Sequence, residues 1–426
     1  MKYLTIVVST SLSLNDATPS FPSGFNVRTT SVTFTPREAP NMKNLPMDIT
    51  FVEGDGGFEV GYCLTRNQIC GAPIKYIREN IKNRVDALII NNKISNVAAR
   101  SGDENCAKVV DKVKATFNVQ DVIPASTGVI GWDLPVNEMV SAIDTLPKAE
   151  SCTPLEFASA IMTTDRWPKL ESAKLGKNSL MVGAAKGAGM IEPNMGTMLC
   201  YVLADCKPPP SKLQSIVERV ADKTFNCISV DSDESTSDMF VVLCKEDGEE
   251  VKEEDFENAL EGVCEKLASG IVRNGEGTGH VIKVEVLNYP GPDSEAREIG
   301  KSVINSPLVK TAIAGNDPNV GRIAGAVGSW VGKRERGANK IDWSKCNMSM
   351  GGESIFKEGT FDLDGSKEDR LSAYIKDCEY STTSKHPEHD KEVSIVIDFS
   401  LGKGHGRVWG SDLTKEYVAV NADYRS

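Results

Sequence analysis

The sequence of 426 residues predicts a mixed α/β fold, because strand-like and helix-like segments alternate along it. Residues 85–90, 281–287 and 393–399 are short, largely apolar runs that are typical of buried strands. Residues 211–223 and 256–271 instead repeat apolar side chains at helical spacing. The length is sufficient for two or three domains, or for two closely packed lobes.

The first part of the chain carries weaker signals. Residues 1–48 contain five prolines and little periodicity, so they predict an irregular arm or edge. A short strand is predicted at residues 121–123, ended by Pro124 and followed by a turn of small residues at 125–128.

The middle of the chain has clearer boundaries. Thr153 and Pro154 predict the N-cap and first turn of a helix over residues 155–162. Residues 179–182 predict a strand that leads into the glycine-rich stretch 183–189. The charged run 245–255 is expected to be a solvated helix start rather than a binding tail.

Composition excludes several classes of protein. The formal net charge of -12 argues against a nucleic-acid surface, because phosphate binding needs clustered lysine and arginine. No apolar run approaches the roughly 20 residues of a membrane-spanning helix, so no membrane partner is expected. The 11 cysteines are scattered and form no C-x-x-C pair, which favours reduced thiols over disulfides or a zinc ribbon. We expect an intracellular enzyme, in the cytoplasm of a bacterium or the mitochondrial matrix of a eukaryote.

The familiar catalytic motifs are missing. His386 and His389 lie in a polar stretch, no H-E-x-x-H is present, and no metal site is expected. There is no G-x-S-x-G elbow, and the Gly300-Lys301-Ser302 sequence has Glu295 where a phosphate-binding loop needs glycine.

The most informative segment is Lys-Gly-Ala-Gly-Met-Ile-Glu-Pro-Asn-Met-Gly-Thr-Met-Leu, residues 186–199. Thr197 has two interpretations: an N-cap for the apolar stretch that follows, or the residue exposed by self-cleavage after Gly196. A freed N-terminal threonine carries an α-amine of pKa about 7.7 to 8.0, which can accept the proton of its own hydroxyl. Such a residue is a recognised nucleophile for acyl transfer and needs no histidine.

These residues resemble the processing site of the ornithine acetyltransferase family, the ArgJ-type enzymes of arginine biosynthesis. Further segments match this family in order, from about residue 120 to the end of the sequence. They are residues 125–131, 160–165, 224–226, 231–238, 274–277, 305–312, 316–319, 321–322 and 410–426.

The resemblance implies a layered α/β (α+β) sandwich that cleaves itself into two chains. The break between Gly196 and Thr197 would give an α chain of residues 1–196 and a β chain of residues 197–426. It implies that Thr197 takes an acetyl group from N-acetylornithine and passes it to glutamate in a ping-pong cycle. Thr127 and the Gly128 N–H would form the oxyanion hole, and an α2β2 heterotetramer is the expected assembly.

Substrate-binding positions follow from the same resemblance. They are Thr163 or Thr164, Lys186, Glu276, Asn421 and Ser426. Lys186 suits a substrate carboxylate and Glu276 suits an ammonium. The sequence does not separate Thr163 from Thr164, and either could instead cap a helix.

Some features depart from the family pattern. Gly196 stands where alanine is usual, and Asn274 where aspartate is usual, while the first hundred residues match poorly. No cofactor is expected, although some members also use acetyl-CoA as a donor. Two alternatives stay open: an N-terminal-nucleophile amidase or aminopeptidase, and an uncleaved homologue without catalytic activity.

Overall fold

The computed structural model describes residues 19–192, 198–209, 212–334 and 341–422. Within these ranges the chain forms fifteen strands and eleven α-helices. The strands are β1 (Phe25–Phe34), β2 (Leu45–Leu64), β3 (Arg84–Asn91), β4 (Val122–Ser126), β5 (Lys169–Leu175), β6 (Ser179–Lys186), β7 (Leu199–Lys207), β8 (Ile228–Ser229), β9 (Met239–Glu250), β10 (Val281–Tyr289), β11 (Asn347–Met350), β12 (Glu353–Lys357), β13 (Thr360–Phe361), β14 (Val393–Asp398) and β15 (Gly404–Ser411). The helices are α1 (Ala72–Asn80), α2 (Gly102–Phe117), α3 (Val136–Ile143), α4 (Pro154–Ala160), α5 (Leu213–Lys223), α6 (Glu253–Arg273), α7 (Asp293–Ile304), α8 (Pro307–Ala314), α9 (Val320–Arg334), α10 (Gly365–Asp377) and α11 (Lys415–Ala422).

The first sheet has the strand order β4-β3-β2-β9-β7-β6-β5, with β1 added against β2. Strands β7 and β9 lie parallel in its middle, and each is antiparallel to its outer neighbour, β6 or β2. Lys186 at the end of β6 pairs with Leu199 at the start of β7. The two ends of the stretch 187–198 are therefore adjacent strands of one sheet.

The second sheet has the order β13-β12-β11-β14-β10-β15-β8. Helix α6 packs on β5 and β6 of the first sheet and on β8 and β15 of the second. Buried side chains of α5, α6, β7 and β9 join those of β8, β10 and β15 in one apolar cluster. A second cluster places α7, α9 and α10 against β10 and β14. This layered α/β arrangement is the fold class that the sequence predicts.

The helix predicted over residues 155–162 is confirmed as α4. The Thr153 hydroxyl accepts from the N–H of Glu156, and the Glu156 carboxylate accepts from the N–H of Thr153. This capping box satisfies donors at the helix start, while Pro154 occupies a first-turn position that needs none.

Pro124 does not end its strand, contrary to the sequence expectation. Strand β4 runs from Val122 to Ser126, with Pro124 paired opposite Ile89 of β3. Because β4 is an edge strand, a proline whose nitrogen faces away from the partner removes no ladder hydrogen bond. The strand therefore carries the chain directly to Thr127.

Two further expectations are corrected. Residues 1–48 are not uniformly irregular, because β1 and the start of β2 occupy residues 25–34 and 45–48. Pro22, Pro36 and Pro40 lie outside these strands, and Pro46 is the second residue of β2. The interior of β1 is rich in threonine and valine, which favour strands. The charged run 245–255 is mostly the exposed end of β9, and α6 begins only at Glu253.

No helix in the described ranges combines the length and apolar character needed to cross a membrane.

Candidate active site

A cleft of about 340 Å³ opens where β6 ends and where β7 and β9 begin. Its walls come from segments far apart in the sequence: Ser95, residues 127–130, 163–164, Lys186, residues 189–190, 198–199, 235–238, Glu276 and Asn421. The structure thus brings together Thr127, Gly128, Thr163, Thr164, Lys186, Glu276 and Asn421 from the sequence prediction.

Thr127 and Gly128 follow β4 and form one wall of the cleft. The N–H groups of Thr127 and Val129 donate to the carbonyls of Asn91 and Lys93, at 3.1 and 2.9 Å. Within the described residues, the N–H of Gly128 and the hydroxyl of Thr127 make no hydrogen bond. These two donors therefore remain available to a ligand, as an oxyanion hole requires.

Gly128 cannot be replaced without moving this wall. Its φ of +127° lies in a region that disfavours side chains, and an added Cβ would come within 2.1 Å of the carbonyl carbon of Lys93. The opposing loop also bends sharply, with φ of +69° at Lys93 and +54° at Asn96. The donors are held by backbone packing of the two loops.

Lys186 is buried at the end of β6, beside a second buried lysine, Lys169. Asp165 accepts from the Lys169 ammonium, from the N–H of Gly187 at 2.8 Å and from the N–H of Thr163 at 3.1 Å. Burial lowers the pKa of Lys186, whereas the negative charges of Asp165, Asp238 and Glu276 act to raise it. Burial raises the pKa of Asp165, but the charges of Lys169 and Lys186, together with the hydrogen bonds from Lys169 and Gly187, leave a net lowering.

Glu276 faces the cleft with both carboxylate oxygens engaged. Thr164 donates its hydroxyl proton to Oε1 at 2.7 Å, and Asn421 of α11 donates from Nδ2 to Oε2 at 2.9 Å. A Cβ at Gly189 would lie 2.3 Å from Oε2, so glycine there leaves room for the carboxylate. Thr164 is thus the threonine whose hydroxyl hydrogen-bonds another predicted binding residue, and Thr163 lines the same cleft.

The backbone beyond Lys186 is fixed by Asp231. Its carboxylate accepts from the N–H groups of Met190 and Ile191, each at 2.7 Å, and from the hydroxyl of Tyr417 at 3.3 Å. Burial raises the pKa of Asp231, although these N–H groups oppose the shift. Asp231 thereby links the segment after β6 to the C-terminal helix α11.

Sequence reasoning did not assign roles to Asp165, Lys169 or Asp238. Asp165 and Asp238 lie in segments that resemble the family, and that resemblance could have indicated a functional role for them. Lys169 carried no such signal, because it is only an i, i+4 partner of Asp165. Only the tertiary fold shows that these charges are buried, with 3% and 0% of the Lys169 and Asp165 side chains exposed. Gly196, Thr197 and Ser426 lie outside the described residues, so their predicted roles stay predictions.

The described residues contain no group of three histidine, cysteine or carboxylate side chains arranged to hold a metal. His389 donates from Nε2 to the carbonyl of Glu379, 3.1 Å away, and accepts at Nδ1 from the N–H of Lys391.

Two unengaged donors, a buried lysine and a tethered carboxylate in one small cleft are typical of an enzyme site for a small polar molecule. The family model described as the ArgJ family matches residues 37–426. The chain belongs to the ArgJ family of arginine biosynthesis, and like the members of that family it is an acyltransferase.

Curated relatives share about a third of their residues with the chain. Arginine biosynthesis bifunctional protein ArgJ 2 of Clostridium acetobutylicum is 34% identical over 388 residues, covering 90% of this chain and 94% of the relative. Arginine biosynthesis bifunctional protein ArgJ of Deinococcus radiodurans is 33% identical over 416 residues, covering 95% and 97%.

Solved structures are also similar in part. The arginine biosynthesis bifunctional protein from Bacillus halodurans is 33% identical with a TM-score of 0.44, covering 53% of this chain and 98% of that one. The ornithine acetyltransferase of Mycobacterium tuberculosis, solved with ornithine, is 26% identical with a TM-score of 0.35, covering 41% and 93%.

Proposed function

We propose that this protein processes itself between Gly196 and Thr197 and then moves the acetyl group of N2-acetyl-L-ornithine to L-glutamate through an acetyl-Thr197 intermediate. The observation that carries the proposal is the position of Met198. This residue, bonded directly to Thr197, lines the same cleft as the free donors of Thr127 and Gly128. Residue 197 is therefore joined by a peptide bond to a residue that lines the cleft with these donors.

The chemistry balances without any other acid or base. The Thr197 hydroxyl oxygen attacks the acetyl carbon while its proton passes to the α-amine of the same residue. The negative oxygen that develops is stabilised by Thr127 and Gly128, and such a donor commonly contributes about 2.7 to 4 kcal/mol. Collapse breaks the amide bond, and the α-amine returns the proton to the departing ornithine nitrogen. The glutamate amine then attacks the acetyl ester by the same steps in reverse.

Lys186 and Glu276 provide opposite charges for binding. We assign the substrate carboxylate to Lys186 and an ammonium of the substrate to Glu276. Thr164 and Asn421 hold Glu276 in place, which supports a fixed orientation of the bound amino acid. Thr163 lines the cleft beside them, and Ser426 is assigned to the same binding site on resemblance alone.

The first experiment is a denaturing gel of the purified protein with N-terminal sequencing of every band. By residue share of 46.1 kDa, the cut gives an α chain of about 21 kDa from 196 of 426 residues, and a β chain of about 25 kDa that starts Thr-Met-Leu-Cys. A Thr197→Ala variant should remain intact. A wild-type chain that also stays intact after long incubation at neutral pH would contradict self-processing.

The second experiment identifies the reaction. Mature protein incubated with N-acetylornithine and glutamate should form ornithine and N-acetylglutamate in equal amounts, with an acetylated β chain visible by mass spectrometry. Ornithine release at the same rate without glutamate would instead indicate an amidase. We include acetyl-CoA as an additional donor, tested by whether it alone acetylates the β chain.

Assembly and location complete the proposal. We infer an α2β2 heterotetramer, which light scattering should find near twice 46.1 kDa. All 11 cysteines are free thiols in the structure, which supports a reducing compartment: the cytoplasm of a bacterium or the matrix of a mitochondrion. Fractionation of the source cells tests the location.

A further inference from the structure

The connection between β15 and α11 holds the loop that carries Glu276. This loop, residues 274–280, runs from the end of α6 to the start of β10. Asp412, just after β15, accepts from the N–H of Gly279 at 2.9 Å and from Nδ1 of His280 at 2.8 Å. Both side chains of the Asp412–His280 pair are buried. These bonds anchor the loop where it enters β10, and the part nearer Glu276 is held by other contacts.

Thr414 provides the second anchor, close to Glu276 along the chain. Its hydroxyl donates to the carbonyl of Gly277 at 2.6 Å and accepts from the N–H of Tyr417, in the first turn of α11, at 3.3 Å. Accepting from an N–H of the first turn is the action of an N-cap oxygen. One side chain therefore connects the loop to the helix that supplies Asn421.

Gly277 allows the loop to approach α11 closely. Its φ of +62° lies in the left-handed region, and an added Cβ would come within 2.2 Å of the backbone nitrogen of Tyr417. The missing side chain is what lets the two backbones meet, and the hydrogen bond from Thr414 spans this contact.

Helix α11 depends on polar contacts for its position. It has eight residues, and none of their side chains is buried. Helices this short are marginal in water unless tertiary packing supports them. Thr414 precedes its first residue, whereas Asn421, which donates to Glu276, lies near its last. The placement of Asn421 therefore rests on the cap and on the hydrogen bonds of the helix rather than on an apolar face.

We propose that Thr414 is a positioning residue that orients the Glu276 carboxylate toward an ammonium group of the substrate. The hydroxyl acts on the loop through the Gly277 carbonyl and on Asn421 through the start of α11. The inference rests on the proposed function, in which Glu276 takes that ammonium. Because the only ammonium of N2-acetylornithine is its δ group, Thr414 determines selectivity for donors that carry this group.

The test removes the hydroxyl at nearly constant side-chain volume. Thr414→Val lacks the hydroxyl and Thr414→Ser retains it. Thr153→Val is the matched control, because Thr153 caps α4 and its described hydrogen bonds go only to Glu156. All three variants are first checked for self-cleavage and thermal unfolding. Initial rates are then measured with N2-acetylornithine and with N2-acetylnorvaline, which lacks the δ-amine.

The expected result is a change in KM that depends on the donor. T414V should raise KM for N2-acetylornithine about tenfold, the effect of one hydrogen bond, and leave kcat within about twofold. KM for N2-acetylnorvaline should not change, and T414S and T153V should match the wild type with both donors. A KM that rises equally with both donors, or as much in T153V as in T414V, would indicate a general structural effect and overturn the inference.

Dependence on Glu276 is tested by combining substitutions. Glu276→Gln should by itself raise KM for N2-acetylornithine, and adding T414V should raise it no further, because the charge that Thr414 orients is gone. Additive effects of the two substitutions would contradict the proposal.

Failure of the proposed function is distinguishable from failure of this inference. If the wild type transfers no acetyl group, affinities for L-ornithine and L-norvaline are measured by calorimetry, which needs no turnover. T414V should weaken ornithine binding about tenfold and leave norvaline binding unchanged. Equal ornithine affinities of the wild type and T414V overturn the inference. A T414V chain that stays uncut while T153V is processed also overturns it, because the hydroxyl would then serve cleavage rather than binding.

Discussion

At the scale of single residues, Gly128 shows how backbone packing prepares the cleft. Replacing it by alanine introduces both an unfavourable φ and a contact of 2.1 Å with Lys93. We expect Gly128→Ala to destabilise the protein by about 3 kcal/mol or more and to reduce turnover about 100-fold or more, because the donor loop must move. Urea unfolding and the rate of acetyl transfer measure the two effects.

Gly131 provides the control. Its φ of +86° is also positive, but an added Cβ meets nothing within 4 Å. Gly131→Ala should therefore cost only about 1 kcal/mol and leave turnover nearly unchanged. Equal effects of the two substitutions would show that the contact with Lys93 does not matter.

At the scale of elements, Asp165 joins the loop after α4 to β5 and to the end of β6. Asp165→Asn leaves the Lys169 ammonium buried without its partner, so we expect a loss of about 3 to 5 kcal/mol in the free energy of unfolding. Adding Lys169→Met should recover most of this loss. The measurement is chemical denaturation of the wild type, both single variants and the double variant.

An exposed ion pair provides the control for the buried pair of Asp165 and Lys169. Lys75 and Asp103 also form an ion pair, but half or more of each side chain is exposed. Asp103→Asn should change stability by less than about 1 kcal/mol. If Asp165→Asn costs no more than this, the buried pair is not a structural requirement.

Lys310 connects α8 to the ends of two strands of the second sheet. Its buried ammonium donates to the carbonyl of Val230 at 2.7 Å and to that of Ser411. Burial lowers the pKa of Lys310 from 10.5 to about 8, despite the nearby charges of Asp412 and Asp231. Between these values the unfolded chain holds the proton and the folded chain does not.

This difference in proton binding determines whether the free energy of unfolding rises or falls with pH. The unfolded state binds more protons between pH 8 and 10.5, so Lys310 should add stability as pH rises through that range, on the order of 3 kcal/mol in total. Below pH 8 the buried charge is a cost. Lys310→Met should lack this rise in unfolding free energy, whereas the half-exposed Lys75→Met should retain it. Parallel curves for the wild type and Lys310→Met would contradict the assignment.

At the scale of the whole molecule, the proposed cut lies between two hydrogen-bonded neighbours of one sheet. The β-chain strands β7 and β9 would be enclosed by the α-chain strands β6 and β2. We expect the fragments to elute together in native gel filtration, at the position of the uncut Thr197→Ala variant, and to separate only in denaturant. Separation in native buffer would contradict the sheet order.

Local patterns predicted much of the fold but not its assembly. The capping box of α4 and the apolar run of β3 are visible in sequence because neighbouring residues determine them. The pairing of β9 with β2 joins residues nearly two hundred positions apart, which no short pattern specifies. The same limit explains Pro124, whose tolerance depends on its strand being at an edge.

The cleft, too, has features that the sequence predicted and features that depend on tertiary packing. Thr127, Lys186 and Glu276 could be proposed together because a family resemblance extends over long stretches, and the fold brings them to one place. The burial of Asp165 and of its partner Lys169 arises only when distant segments pack. Charges inside a protein are therefore the part of a site that sequence reasoning finds last.

The enclosure of β7 and β9 also determines how the protein would recover from heat. A precursor that unfolds can refold as a single chain, at a rate that does not depend on concentration. After the cut, the central strands and their flanks belong to different molecules, which must meet before the sheet can form. Recovery becomes a second-order process, so dilution should make thermal inactivation of the mature protein irreversible while the uncut variant still refolds.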